Sequence, residues 1–458
     1  MRTSRLIGIA VSTISCLSLL SLFLVRETAF GCDGGDPGMA NPAAVYCHEL
    51  GYEYKTVDAQ GGQHGTCVFP DGSDCEEWAF LEGACGQSYS YCAIHGYDVV
   101  TKTDGKNPIS SEYGVCVRGQ QEVGPVTGLM ELSEKSTRGS HPVEPAPTSA
   151  EQGGDLTGSL PSSFSWRGWM TSVKNQGICG SCWAYSALGA VEAMYNIRGY
   201  GPNLDLSEEY LVAGSLAHDE ENNCCGGSTD EALAYVRDSG VPDEACLPYV
   251  DGDAGGCSCG TSSCGSNCTY GTGDECSDRR YSADRCTDWQ SRLRKISDTG
   301  PVANNQEVIK QELVTVGPLS VAMCVGSTCG GYYDGDIFKC AGASDVDHGV
   351  VVVGYDDADG GYWIVKNSWG VGFQDQGYFK VGYGQCLIET SVLYADLPSG
   401  VGVVGGIAEP ADVAQAPAGE SASSRASGPP YAALAGGLAA AVVVLGAGVW
   451  HGRRRWLR

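Results

Sequence analysis

The chain has 458 residues, 42% of them apolar and 18% charged, with 66 glycines and 23 cysteines. That length allows about three domains of ordinary size. The formal net charge of −27 excludes nucleic acid as the main partner, because phosphate binding needs a basic footprint.

Basic character is confined to the two ends, +2 over residues 1–32 and +4 over 431–458. Arg2 and Arg5 precede an apolar run from Leu6 to Val25, with small residues near Ala29–Gly31. Residues 1–31 therefore read as an export signal. An exported chain with this many cysteines should carry disulfides.

Residues 41–118 read as a cystine-rich module with a partial repeat. Tyr46-Cys47, Gly51-Tyr52 and Gly65-Thr66-Cys67-Val68 are echoed by Tyr91-Cys92, Gly96-Tyr97 and Gly114-Val115-Cys116-Val117. The first offsets agree and the last differ by four, as a hairpin loop of variable length allows. Such a small unit needs its disulfides, worth about 2–4 kcal/mol each. Asn41–Cys47 and Pro70–Trp78 resemble a small bacterial module labelled haemolysin-like, which implies a structural or binding role.

Residues 119–159 turn polar and read as a linker, and 398–430, rich in Ala, Gly, Ser and Pro, as another. Between them, 160–397 is the large folded unit. Residues 431–450 carry no charge and are just long enough to cross ~30 Å of hydrocarbon. The arginines of the 451–458 tail would then stay inside and the bulk of the protein outside. A sorting tail removed after export is the alternative.

The chemistry starts with a cysteine count. Fifteen cysteines lie between Cys179 and Cys386, so pairing leaves one thiol over. Gln176–Trp183 is a glycine-bearing loop, and the Ala-rich run from Trp183 to Ile197 predicts a buried helix starting near Cys182. A thiol at a helix N-terminus is favoured as thiolate by the dipole. His348 opens Val350–Tyr355, a buried strand, and Tyr362–Gly370 predicts a second strand ending in the amide of Asn367.

These three segments resemble the papain-like cysteine peptidases, the cathepsin family, in the right order from Leu160 to about Asp396. The resemblance implies an α+β fold of two lobes, helical over about 160–285 and β-barrel-like over about 286–397. It implies Cys182 as nucleophile, His348 as general base and then acid, and Asn367 as the residue that orients the imidazole. Gln176 would donate to the oxyanion, Trp369 would shield the Asn367–His348 bond, Gly226 and Gly227 would hold substrate backbone, and Ser391 would floor the specificity pocket. Cys179–Cys224 and Cys340–Cys386 are the implied disulfides; Cys324–Cys329 is a local guess. No cofactor is implied.

The chain also departs from the family. The Cys182–His348 gap of 166 residues exceeds the usual ~130–150, and a Cys-rich insert at 246–286 accounts for the excess. Cys257, Cys259, Cys264 and Cys268 in that insert could ligate a metal, but export and the absence of histidine there favour disulfides. The insert also lacks the paired histidines of a carboxydipeptidase loop, which favours an endopeptidase. No long helical pro-segment is recognisable before Leu160, so the 41–118 module is a candidate intramolecular restraint. The competing reading is a non-catalytic peptide-binding or adhesion protein; a third makes the N-terminal module the active part. Protein or peptide substrates are the expected partners.

Overall fold

In the structure, a computed structural model, the described residues are 38–136, 141–142, 159–201, 203–212, 222, 224, 226–250, 285–326 and 329–397. The predicted signal, the 398–430 linker, the 431–450 segment, the basic tail and most of the Cys-rich insert lie outside them. Among the described residues no helix is long and apolar enough to cross a membrane.

The N-terminal repeat becomes two copies of one pattern. Helix α1 (Pro42–Glu49) leads into an antiparallel sheet of β1 (Glu53–Ala59), β2 (Gly62–Val68) and β3 (Asp74–Glu76). After α2 (Glu77–Leu81), helix α3 (Tyr91–Ile94) leads into β4 (Asp98–Lys102), β5 (Tyr113–Arg118) and β6 (Gln121–Pro125). Cys47–Cys67 ties the first helix to the middle strand of its sheet and Cys92–Cys116 does the same in the second copy, with separations of 20 and 24 residues. Cys75–Cys85 adds a third bond. Helix α1 starts cleanly because the Asn41 side chain accepts the Ala43 N–H at 3.0 Å and Pro42 needs no partner for its nitrogen.

Residues 119–136 are not linker. They supply β6 and two short helices, α4 (Val126–Leu129) and α5 (Leu132–Ser136), which close the module. Their polarity misleads because β6 is an exposed edge strand. Further on, β7 (His141–Pro142) pairs with β13 (Asp345–Val346).

The large unit is α+β. Helix α6 (Cys182–Ile197) begins at the residue expected and is almost wholly buried. With α7 (Glu208–Tyr210) and α8 (Thr229–Asp238) it forms the helical part; α9 (Trp289–Arg292) follows the insert. The sheet runs β11 (Gly331–Asp334), β12 (Ile337–Cys340), β16 (Tyr378–Gly382), β15 (Tyr362–Lys366), β14 (His348–Asp356), β10 (Leu319–Met323), β17 (Ser391–Asp396), β9 (Asp298–Pro301). The lobe boundary is less clean than expected, since β8 (Ser163–Ser165) pairs with β14 and α10 (Gln306–Thr315) lies among the strands' sequence. Strand β14 reads His-Gly-Val-Val-Val-Val-Gly-Tyr-Asp and is buried through Tyr355, because α6 covers it. Close approach is allowed by Gly189, where a Cβ would sit 3.1 Å from Val351.

The module is not a separate body on a tether. Met39, Tyr46, Trp78 and Phe80 belong to the same apolar cluster as Ile178, Trp369 and Phe373. Disulfides Cys179–Cys224, Cys324–Cys329 and Cys340–Cys386 form as expected, and Cys246–Cys286 closes the base of the insert.

Candidate active site

Cys182 stands outside every disulfide and is fully buried at the first turn of α6. Ser181 places no side-chain cap on that turn; its hydroxyl pairs with Tyr249 at 2.7 Å instead. The positive end of the helix therefore stays directed at the thiol. Strand β14 meets this turn at Gly349, where a Cβ would lie 2.8 Å from the Cys182 carbonyl oxygen. Any side chain there would push the two elements apart.

His348 opens β14 and is buried. One ring nitrogen, Nε2, lies 2.8 Å from Asn367 Oδ1, and the same oxygen accepts the Ser368 N–H at 2.9 Å. The second bond fixes the amide so that oxygen faces the ring, and an oxygen can only accept. Nε2 must then carry the proton, which leaves the Nδ1 lone pair to accept one. Nδ1 is buried and has no hydrogen-bond partner among the described residues. Trp369 stacks on the imidazole at 4.6 Å and 28°.

Gln176 is fixed at both ends of its amide. Ser368 Oγ donates to Oε1 at 2.7 Å, while Nε2 donates to the carbonyls of Cys179 and Met39, each at 2.8 Å. The loop that carries it is anchored by two lysines. Lys174 reaches Glu192, Asp205 and Glu208 at 2.7–2.9 Å. Lys366 donates to the carbonyls of Thr171 and Ser172 at 2.9 and 3.0 Å. Burial pushes the Lys366 ammonium down to about 8.

The cleft is covered from within. Gly38, Met39 and Ala40 are buried against this site, and the Met39 N–H donates to Cys182 Sγ at 3.4 Å. Burial is also what sets the protonation. It pushes the Cys182 thiol up to about 11 and the His348 imidazole down to about 4. The helix dipole alone predicts a thiolate; in this covered state desolvation outweighs it, and both groups are neutral at pH 7. A thiol and an imidazole on abutting elements, with a held amide donor beside them, are the parts that acyl transfer requires.

Other expected residues fall nearby. Gly227 lies on the Trp183 ring, where a Cβ would sit 2.5 Å from Cε2, and Gly226 is buried beside it. Ser391 starts β17, half-buried and paired with Ala322. Asp347 turns away: its carboxylate accepts the N–H groups of Val325 and Gly326 at 2.7 and 2.8 Å. Gly349, Ser368, Lys174 and Met39 were not singled out from the sequence. A pattern signal existed only for Ser368, inside Asn-Ser-Trp-Gly.

A family model described as papain family cysteine protease matches residues 160–396. A second, described only as a domain of unknown function, DUF333, matches 38–84 and assigns that part no activity. "Cathepsin S" of Bos taurus is 36% identical over 227 residues, covering 48% of this chain and 60% of that protein. "Cathepsin L-like" of Caenorhabditis elegans is 34% identical over 252 residues, covering 51% and 64%. The chain thus spans about three-fifths of the length of these relatives. Digestive procathepsin L 3 of Tenebrio molitor is similar in structure, with a TM-score of 0.44 and 28% identity over 58% of this chain and 79% of that one.

Proposed function

The chain belongs to the papain family of cysteine proteases, and on that premise we propose that it is an exported endopeptidase acting through an acyl-enzyme on Cys182. His348 takes the thiol proton at Nδ1 and returns it to the leaving amine. Asn367 holds the ring, Trp369 shields that bond, and Gln176 donates to the oxyanion. Gly226 and Gly227 hold substrate backbone and Ser391 floors the pocket for the residue two before the cleaved bond. The observation that carries this reading is the fixed tautomer. Asn367 and Ser368 together leave a bare lone pair on a buried imidazole, a feature a purely structural histidine does not need.

The 41–118 module, with the segment around Met39, restrains the peptidase at its cleft, in place of a recognisable pro-segment. The abundance of disulfides fits an oxidising compartment. The 431–450 segment would hold the enzyme to a membrane with the catalytic unit outside.

The test is turnover of a mixed fluorogenic peptide library by the purified chain beside Cys182→Ala and His348→Ala. Each substitution should remove nearly all hydrolysis, because the pair acts as a unit. Undiminished turnover in Cys182→Ala overturns the reading. Peptide binding without turnover in the native chain would favour a peptide-binding protein.

A further inference from the structure

We propose that Cys324, Cys329 and Asp347 form a zinc site that opens when a dithiol reduces the Cys324–Cys329 disulfide. None of the three belongs to the catalytic group. The two sulfurs and a carboxylate oxygen of Asp347 all lie within 4.8 Å of one another, and all three residues are buried. Cys329 Sγ is 3.7 Å from Asp347 Oδ2. Zinc holds thiolate sulfur at about 2.3 Å and carboxylate oxygen at about 2.0–2.2 Å, so two ligands of one ion stand roughly 3.5–4 Å apart. The cysteines also have a zinc-site spacing, with Val325 to Thr328 between them.

Backbone bonds hold the three groups in place once the sulfurs part. Cys324 follows β10, whose last residue Met323 pairs with His348, and its N–H donates to the Cys386 carbonyl at 2.8 Å. The Cys329 N–H donates to the Gly326 carbonyl, and the Cys329 carbonyl accepts from Gly342, each at 3.2 Å. The Asp347 N–H donates to the Met323 carbonyl at 3.0 Å. Its carboxylate accepts one N–H on each oxygen, from Val325 and Gly326, which leaves Oδ2 a lone pair for a metal. The disulfide also closes the shortest loop among those described, with a separation of 5 residues against 10 to 46 in the others. A short loop constrains the unfolded chain least, so the fold loses least when this bond opens. Zinc binds both sulfurs as thiolates and supplies the positive charge that buried anions need.

The redox step balances with the dithiol alone. One of its sulfurs bonds to Cys324 or Cys329 as the S–S bond breaks; its other sulfur then displaces that cysteine, and the reagent leaves as a cyclic disulfide. The cysteines gain two electrons and two protons. Zinc then replaces both protons, takes Asp347 Oδ2 as third ligand and keeps water as its fourth. The ion ties the end of β10 to the residue before His348. The reductant that keeps a thiol nucleophile from oxidising is the same class of reagent.

The experiment uses the full chain carrying Cys182→Ala, so that the catalytic thiol contributes neither binding nor cleavage. The chain is treated with limiting dithiol, freed of it by gel filtration under argon, and titrated with Cd²⁺ and then Zn²⁺. Peptide mass mapping after alkylation should find Cys324 and Cys329 as the first pair to open. Cd²⁺ should then give the ultraviolet charge-transfer absorbance of a cadmium–thiolate bond, Zn²⁺ should remove it, and either ion should protect both cysteines from alkylation. Asp347→Asn keeps both thiols and should bind zinc at least about tenfold more weakly. Replacing both cysteines, Cys324→Ser with Cys329→Ser, should abolish the absorbance. Metal binding that persists undiminished in that double variant belongs to other cysteines and overturns the proposal. So do opened Cys324 and Cys329 that take up no ion, a Cys324–Cys329 bond that stays closed while others open, and full zinc affinity in Asp347→Asn.

Discussion

The indole Nε1–H of Trp78 donates to the backbone carbonyl of Trp369 at 3.0 Å, and the two rings stack 6.0 Å apart. Trp369 in turn covers His348. The module therefore grips the catalytic centre one ring away from the imidazole.

Removing that grip should open the site. A fully buried tryptophan truncated to alanine costs about 3–5 kcal/mol, and a third of that shifts the open population about tenfold. Trp78→Ala should raise the rate at which a thiol-directed epoxide labels Cys182 by at least that factor. Trp78→Phe keeps the packing and loses only the N–H, so its effect should be smaller. Unchanged labelling in a folded Trp78→Ala protein would show that the cover is held elsewhere.

Gly349→Ala should impair catalysis by geometry alone. Its Cβ would meet the Cys182 carbonyl at 2.8 Å, against the backbone rather than a yielding side chain. Overpacking of this kind costs about 1–3 kcal/mol. Peptide turnover should fall well below native while the disulfides form normally, as kinetics and a thiol titration together will report.

Gln176 and Ser368 should behave as a donor and its support. Gln176→Ala should lower kcat by about 10²–10³-fold. Ser368→Ala leaves the amide present but free to rotate, so its loss should be smaller. Asn367→Ala should retain more activity than His348→Ala, since it only orients the ring. Equal losses in all four variants would point to misfolding rather than to separate roles.

Stability should decline toward alkaline pH through Glu77. Its carboxyl is fully buried, accepts from Gly65, Tyr54 and Asn175, and is pushed up to about 8 by burial. Its pKa in the fold thus lies above its ordinary value, so the folded state binds the extra proton between about 4.5 and 8. That stabilisation is present below this window and lost as pH rises through it. His348 is shifted the opposite way, to about 4, and no longer titrates above pH 7. Unfolding midpoints should fall from pH 6.5 to 8.5, and Glu77→Gln should flatten the slope.

Substrate choice should favour an apolar residue two before the cleaved bond. Ser391 offers no charge, and a buried unpaired guanidinium is costly. Asp347, the acidic residue next to His348 in sequence, already has its oxygens committed to Val325 and Gly326. A peptide library that selects arginine there would overturn the assignment of Ser391.

Much of this site was legible because its parts are local patterns. An Ala-rich run after Gly-Ser-Cys makes a buried helix, and four valines after His348 make a buried strand. The module reads as a candidate restraint, but the contacts by which it covers the site were not legible. Trp78 and Trp369 lie 291 residues apart, and Met39 and Cys182 143 apart. Contacts at such separations leave no periodicity in either segment. Residues 119–136 misled for a related reason: an exposed edge strand and two single-turn helices have the composition of a linker. The dipole at the thiol can be read from sequence, whereas the burial that pushes the thiol up cannot.

The core shared by the module and the peptidase also has a direction in time. Chains are made from the N-terminus, and early segments fold before later ones exist. Trp78 leaves the ribosome about a hundred residues ahead of Cys182 and almost three hundred ahead of Trp369. By the time His348 and Asn367 arrive to complete the catalytic group, the segment that covers it is already built. The covering segment thus precedes in synthesis the catalytic group it covers.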